Sequence, residues 1–324
     1  MTKLSRCSWW FSASIILVCP IETTLAQSYA ARAIRLVVPY APGGGADNVA
    51  RVIAQKLSEA LGQQVVIDNR GGAGGIIGAD IVAKSAPDGY TLLHDASAHA
   101  VNPSLHKLPF DTLKDFAPVG MVVINPNFIV VHPSLPARTV RDLIALAKAH
   151  PRQITYGSAG IASAGHLAGE LFNYMAGTEM IHVPYKGGGP AIADLMGGHL
   201  QVLLPNIANA MPHVKTGKVI GIAVTSAKRS RSAPEFPTVT ESGLPGYEIY
   251  EWNAVFAPAG TPLAIITKLN AELRKVISTP DVQERFFQMG AEAAPGSPEH
   301  LDDYVRSEIT KWGKVVKAMG IKVE

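Results

Sequence analysis

Repeatedly in this chain a short apolar run stops at a cluster of glycines and restarts as an amphipathic segment. Ile34–Pro39 runs into PYAPGGGADNVAR (39–51), Val65–Asp68 into NRGGAGGIIGA (69–79), and Ile181–Pro184 into YKGGGP ahead of a helix near Pro190. β-rich runs that alternate with 3.6-period segments build βαβ units and a largely parallel sheet. The 324 residues leave room for two such sets, and 47% apolar composition excludes a mainly disordered chain.

The first set reads strand Ile34–Pro39, helix Asp47–Leu61 closed by Gly62, strand Val65–Asp68, helix Ile76–Lys84, turn Ala86-Pro87-Asp88-Gly89 and strand Tyr90–His94. The second follows a strand at Phe128–Val131. It reads helix Val140–Ala149, strand Ile154–Gly157, helix Ala164–Ala176, strand Ile181–Pro184, helix Pro190–Met196, and strands Val202–Leu204 and Ile220–Val224. Ala227–Gly246 is rich in Pro, Ser and Gly. A strand at Trp252–Ala257 then precedes helices at Pro262–Ser278, Asp281–Met289 and Pro298–Met319, with prolines near the first helical positions. Entry near 128 and return near 252 predict an α/β chain of two lobes, 27–127 with 252–324 and 128–251. Each lobe is expected to be a mostly parallel sheet flanked by helices, with two hinge crossings and a cleft between.

The N-terminus predicts export. Lys3 and Arg6 precede the apolar run Trp9–Val18, and Thr24-Leu25-Ala26 offers small residues for a signal peptidase, so residues 1–26 read as a signal peptide cleaved between Ala26 and Gln27. A run of about ten mostly apolar residues falls short of the ~20 needed to span a bilayer. A lipoprotein reading of Cys19 suffers from Val18, where a small residue belongs. Cys7 and Cys19 both lie in the removed segment, so disulfides, thiolate metal sites and cysteine catalysis are not expected of the mature chain. Loss of Lys3, Arg6 and Glu22 takes the net charge from +3 to +2, too balanced for a nucleic-acid surface.

None of the glycine loops has nucleotide spacing. No Lys-Ser/Thr follows them, as a Walker loop requires, and the sixth position of a dinucleotide fingerprint is Asn48 counted from Gly43 and Ile77 counted from Gly72. PYAPGGGADNVAR is then either an anion seat, with glycines baring N–H groups at a helix start, or a tight turn capped by Asp47. NRGGAGGIIGA repeats the strand–glycine–helix logic, and its glycines serve either the same purpose or close packing of helix on sheet. In YGSAGIASAGHLAGELF (156–172), Ser158 and Ser163 stand between strand and helix, where hydroxyls and N–H groups hold a carboxylate. A G-x-S-x-G hydrolase elbow fails there, with Tyr156 in a glycine's place and two residues between Gly160 and Ser163. His166 reads as structural, because the histidines lack H-E-x-x-H or paired spacing. In HVPYKGGGPAIADLMGG (182–198), Tyr185 and Lys186 either face the cleft or are amphipathic residues at a strand end.

Taken in order, RLVVPYAPGGGADNVAR, DNRGGAGGIIGADIVAKSAPDGYTLL, VNPSLHKLPFD, YGSAGIASAGHLAGELF, HVPYKGGGPAIADLMGGHL, HVKTGKVIGIAVTSAKRS and FPTVTESGLPGYE resemble the landmarks of the Bug-type receptors. These are periplasmic solute-binding proteins of tripartite tricarboxylate transporters, and the resemblance runs from about Arg32 to Gly320. It implies a type II-like periplasmic binding fold that closes on a small organic carboxylate and delivers it to membrane transporter subunits. No catalytic residue, metal, cofactor or nucleic acid is implied.

Carried over position by position, the ligand-binding residues are Tyr40, Gly43, Gly44, Gly45, Ala46 and Asp47 in the first-lobe loop, Ser97 in HDASAHAVNPSL (94–105), and Ser158, Gly160, Ser163 and His166 in the serine loop. Tyr185, Lys186, Gly187 and Asn206 complete the set. Pro205-Asn206 replaces the Asp-Asn that relatives often carry, removing an acid that could meet an amine, so a ligand without an amine is expected. Ala98, where many relatives have a hydroxyl, implies a more apolar wall, and Gly165 is small where relatives vary. A signalling co-receptor would bind identically. A serine hydrolase using Ser158 or Ser163 with His166 is the rival of another class.

Overall fold

The computed structural model describes residues 29–160, 163–185 and 187–321. The leader with both cysteines, and Lys186, lie outside the described residues. The first half alternates strand and helix as β1 (Ile34–Val38), α1 (Gly45–Leu61), β2 (Val65–Asn69), α2 (Ile76–Ala83), β3 (Thr91–Ala96) and α3 (Ala98–Leu105). Apart from Arg35, β1 is apolar on both faces, and helices cover both. Ile34, Leu36 and Val38 share a core with Val49, Ile53 and Leu57 of α1, while Val37 sits with Ala79 and Val82 of α2. α1 ends at Gly62, whose left-handed backbone (φ 67°) stops a helix at low cost.

The chain continues through β4 (Phe116–Pro126), β5 (Phe128–Val131), α4 (Val140–Ala149), β6 (Thr155–Ser158), α5 (Ala164–Ala176), β7 (Ile181–Pro184), α6 (Gly188–Met196), β8 (Val202–Leu203), α7 (Ile207–Lys215) and β9 (Ile220–Val224). It closes with β10 (Tyr250–Pro258), α8 (Leu263–Ile277), α9 (Pro280–Gln288), β11 (Glu292–Ala293) and α10 (Pro298–Met319). Two sheets result, ordered β11-β4-β10-β3-β1-β2 and β7-β6-β8-β5-β9.

The expectation of mostly parallel sheets needs correction, since both are mixed. Pairs β1/β2, β1/β3, β6/β7 and β6/β8 are parallel, whereas β10 runs against β3 and β4, β11 against β4, and β5 against β8 and β9. A helix crossover delivers the next strand parallel, but β4, β5 and β10 carry the chain between sheets without one.

The two crossings are tied together. Asn127, between β4 and β5, donates its N–H to Thr225 Oγ1 at 2.8 Å, and Thr225 Oγ1 donates to the carbonyl of Ile249, just before β10, at 2.9 Å. A third link is α10. Its Leu301 and Val305 share the first lobe's core with Trp252 and Phe256, while Trp312 and Val315 join the second lobe's core with Leu167, Leu171 and Tyr247. α10 therefore packs on both cores.

Candidate functional site: the interlobe cavity

A cavity of about 310 Å³ opens between the sheets, at the small end of the roughly 300–1,000 Å³ typical of small-molecule sites. The first lobe supplies Tyr40 after β1, Ala96, Ser97 and Ala98 at the β3–α3 junction, and Glu251 on β10; Asn127 sits at the crossing. The second lobe supplies Ser158 and Ala159 at the end of β6, Ser163, Ala164 and Gly165 at the start of α5, and Gly188 at the start of α6. Leu203, Leu204, Pro205, Asn206 and Asn209 follow, from β8 into α7.

Four helices thus begin at one cavity, which collects unpaired N–H groups and the positive ends of helix dipoles. Two of these starts are capped by side chains. Ser163 accepts from the N–H of His166 at 3.4 Å, and Asn206 from that of Asn209 at 3.0 Å. α6 starts after Gly187, which has no capping side chain. Gly165 lets α5 come close: a Cβ there would lie 2.7 Å from the carbonyl oxygen of Leu204.

The serine loop is a bonded unit. Ser163 Oγ donates to the carbonyl of Gly160 at 2.7 Å; Ser158 Oγ lies 2.9 Å from that carbonyl, 3.1 Å from the Gly160 nitrogen, and 2.7 Å from Nε2 of His182. His182 stacks on His166 at 4.0 Å between centroids. Burial lowers the pKa of His182 to about 4, and burial followed by the neighbouring His182 lowers that of His166 to about 3. At neutral pH both are uncharged.

Of the positions expected to touch ligand, Tyr40, Ser97, Ser158, Ser163 and Asn206 line the cavity together. The rest of the first-lobe loop (Gly43, Gly44, Gly45, Ala46 and Asp47) does not. Asp47 is fully buried, and its carboxylate accepts from the Gly43 N–H (2.8 Å), Arg51 Nε (2.8 Å) and Asn69 Nδ2 (2.9 Å). Burial opposes its ionisation, yet these bonds hold its pKa below the ordinary value. Gly43 takes φ 81° to present its N–H to Asp47, so that donor serves the helix start instead of an anion.

Gly160, His166, Tyr185 and Gly187 also lie off the lining. Gly160 anchors both serines. His166 is buried behind them. Tyr185 donates its hydroxyl to Asp194 at 2.8 Å, and the N–H of Gly187 bonds the carbonyl of Ala159 at 3.1 Å, fastening the α6 loop to the serine loop. Lys186 lies outside the described residues.

Sequence reading missed Asn127, Asn209, Gly188 and Glu251. Asn209 could follow only from recognising α7, whereas an acid heading the apolar run EWNAVFAP was a visible signal for Glu251. Tyr40 donates to Asp95 Oδ1 at 2.7 Å, and Asp95 Oδ2 lies 3.0 Å from His99 Nδ1. Burial, reinforced by Asp95, raises the Tyr40 pKa well above its ordinary value, so its hydroxyl stays protonated.

A sequence profile described as "Tripartite tricarboxylate transporter family receptor" matches residues 49–321. The chain belongs to this family. The receptor is 38% identical to protein BugT of Bordetella pertussis over 327 residues, covering 100% of this chain and 99% of BugT. Among solved structures it resembles R. palustris Rpa4515 with adipate (TM-score 0.76, 39% identity, 91% of this chain and 99% of that one). It also resembles MatC from Rhodopseudomonas palustris with bound malate (TM-score 0.72, 33% identity, 89% and 100%). The α/β, two-lobed architecture expected from the sequence is that of these proteins.

Proposed function

We propose that this receptor captures a small organic carboxylate in the interlobe cavity and hands it to the membrane subunits of a tripartite tricarboxylate-type transporter. The observation that carries this reading is the convergence of the α3, α5, α6 and α7 starts on one cavity. The adipate in Rpa4515 and the malate in MatC support the ligand class. The lobes are 27–127 with 252–324 and 128–251, and the leader ending at Ala26 directs the chain to the periplasm.

In this reading the contacts come from Ser158, Ser163, Asn206 and Asn209, with Tyr40 and Ser97 on the facing lobe. Charge-assisted hydrogen bonds contribute about 1.5–3 kcal/mol each, so four or five leave micromolar affinity, about −8 kcal/mol, after association and closure costs. Chemistry on the ligand has no part in it.

The test is thermal unfolding of residues 27–324 against a library of carboxylates and their amides, since a ligand of the folded state raises the midpoint. A rise with a carboxylate and none with its amide is expected. Equal shifts for both would overturn the reading.

A further inference from the structure

The cavity is not uniformly suited to anions. Glu251, half-buried on β10, lines it directly, and burial raises its pKa without any donor among the described residues to offset the effect. The neighbouring acid Asp95 is already engaged by Tyr40, His99 and the N–H of Ala96. Among the described residues, the second lobe contributes no cation to the lining.

A second acceptor points the same way. Asn127 is 4% exposed and lines the cavity; its Nδ2 donates to the carbonyl of Leu204 at 2.8 Å, which fixes the amide's orientation. Its Oδ1 is buried without a hydrogen-bond partner among the described residues. A buried acceptor left unpaired is costly, and a carboxylate facing a closed anion site more so.

We propose that the ligand is bipolar: its carboxylate meets the helix starts of the second lobe, and an ammonium at its other end meets Glu251, with Asn127 Oδ1 as a further acceptor. The acid absent at Pro205 is thereby supplied from β10 of the other lobe. A dicarboxylate would bring its second negative charge against Glu251, whereas an amino acid of the same length would neutralise it. This inference rests on the carboxylate-receptor reading.

The experiment is calorimetric titration of wild type and Glu251→Gln with paired ligands of equal length: unbranched ω-amino acids and dicarboxylates spanning about four to six chain atoms, together with the α-amino dicarboxylates. In wild type, at least one amine-bearing acid is expected to bind about tenfold or more tighter than its amine-free counterpart, and Glu251→Gln to abolish that preference. The midpoint of the ligand-free variant should not fall, because the change removes a half-buried carboxylate that has no donor among the described residues. Amine-free acids binding better than their amine counterparts would overturn the proposal and leave the receptor reading intact. Binding of neither series would overturn both.

Discussion

Ser158 Oγ lies 2.7 Å from Nε2 of His182, so one hydrogen bond joins the wall of the cavity to the stacked His182–His166 pair. Ser158→Ala would leave the His182 nitrogen and the Gly160 N–H without this partner. We expect a loss of about 1–3 kcal/mol in stability and weaker carboxylate binding. Urea unfolding and calorimetry check both; an unchanged dissociation constant would remove Ser158 from the site.

Ser163→Ala tests a different bond. The hydroxyl caps α5 and holds Gly160, so the helix start should lose about 0.5–2 kcal/mol while the protein still folds. Ligand affinity, read by calorimetry, should drop in the same variant, because the α5 start faces the cavity.

Asp47→Ala separates fold from binding in the first-lobe loop. Three donors would lose their acceptor, and we expect about 2–3 kcal/mol of destabilisation at neutral pH with ligand affinity nearly unchanged in the remaining folded protein. Because the folded-state pKa of Asp47 lies below its unfolded value of 3.8, its contribution is present above about pH 4 and lost as pH falls through the folded value. The gap between wild type and variant should therefore narrow in acid. A large affinity loss in the variant would return this loop to the ligand site.

Acid should also act through the buried histidines. Their folded-state pKa values, about 4 for His94, 3 for His166 and 4 for His182, lie below the 6.5 of an unfolded imidazole. The unfolded chain takes up protons first, so each stabilises fully above about pH 6.5 and loses up to about 1.4 kcal/mol per pH unit on the way down to its folded value. Glu170 and Glu251, raised by burial, work in the opposite sense. His182→Gln should flatten the dependence of the unfolding midpoint between about pH 6.5 and 4, and parallel curves would contradict this account.

Gly165→Ala is expected to cost about 1–3 kcal/mol, since the added methyl meets the backbone of Leu204 and cannot be relieved by a rotamer. Because α5 would have to retreat, affinity should fall with it.

Elements with strong end signals were legible in the sequence to the residue. α4 begins at a capping box of Thr139 and Asp142, α5 at Ser163, and α10 at Ser297-Pro298 and ends at Gly320. α3 and α7 were missed because Pro103 and Pro212 lie inside them, and an interior proline reads as a stop. β4 carries Pro118 and Gly120, which hid a strand of 11 residues. The serines of the site stood at a visible strand-to-helix junction. Asn127 did not, since it belongs to a crossing whose spatial neighbour, Leu204, is remote in sequence.

α10 gives the two lobes a mechanical coupling that the two chain crossings alone would not. A 22-residue rod, about 33 Å long, is bedded at one end beside Trp252 and at the other through Trp312. Any swing of one lobe against the other has to bend this rod or shear one of its beds. The helix would therefore act as a spring between the two cores and resist any such swing.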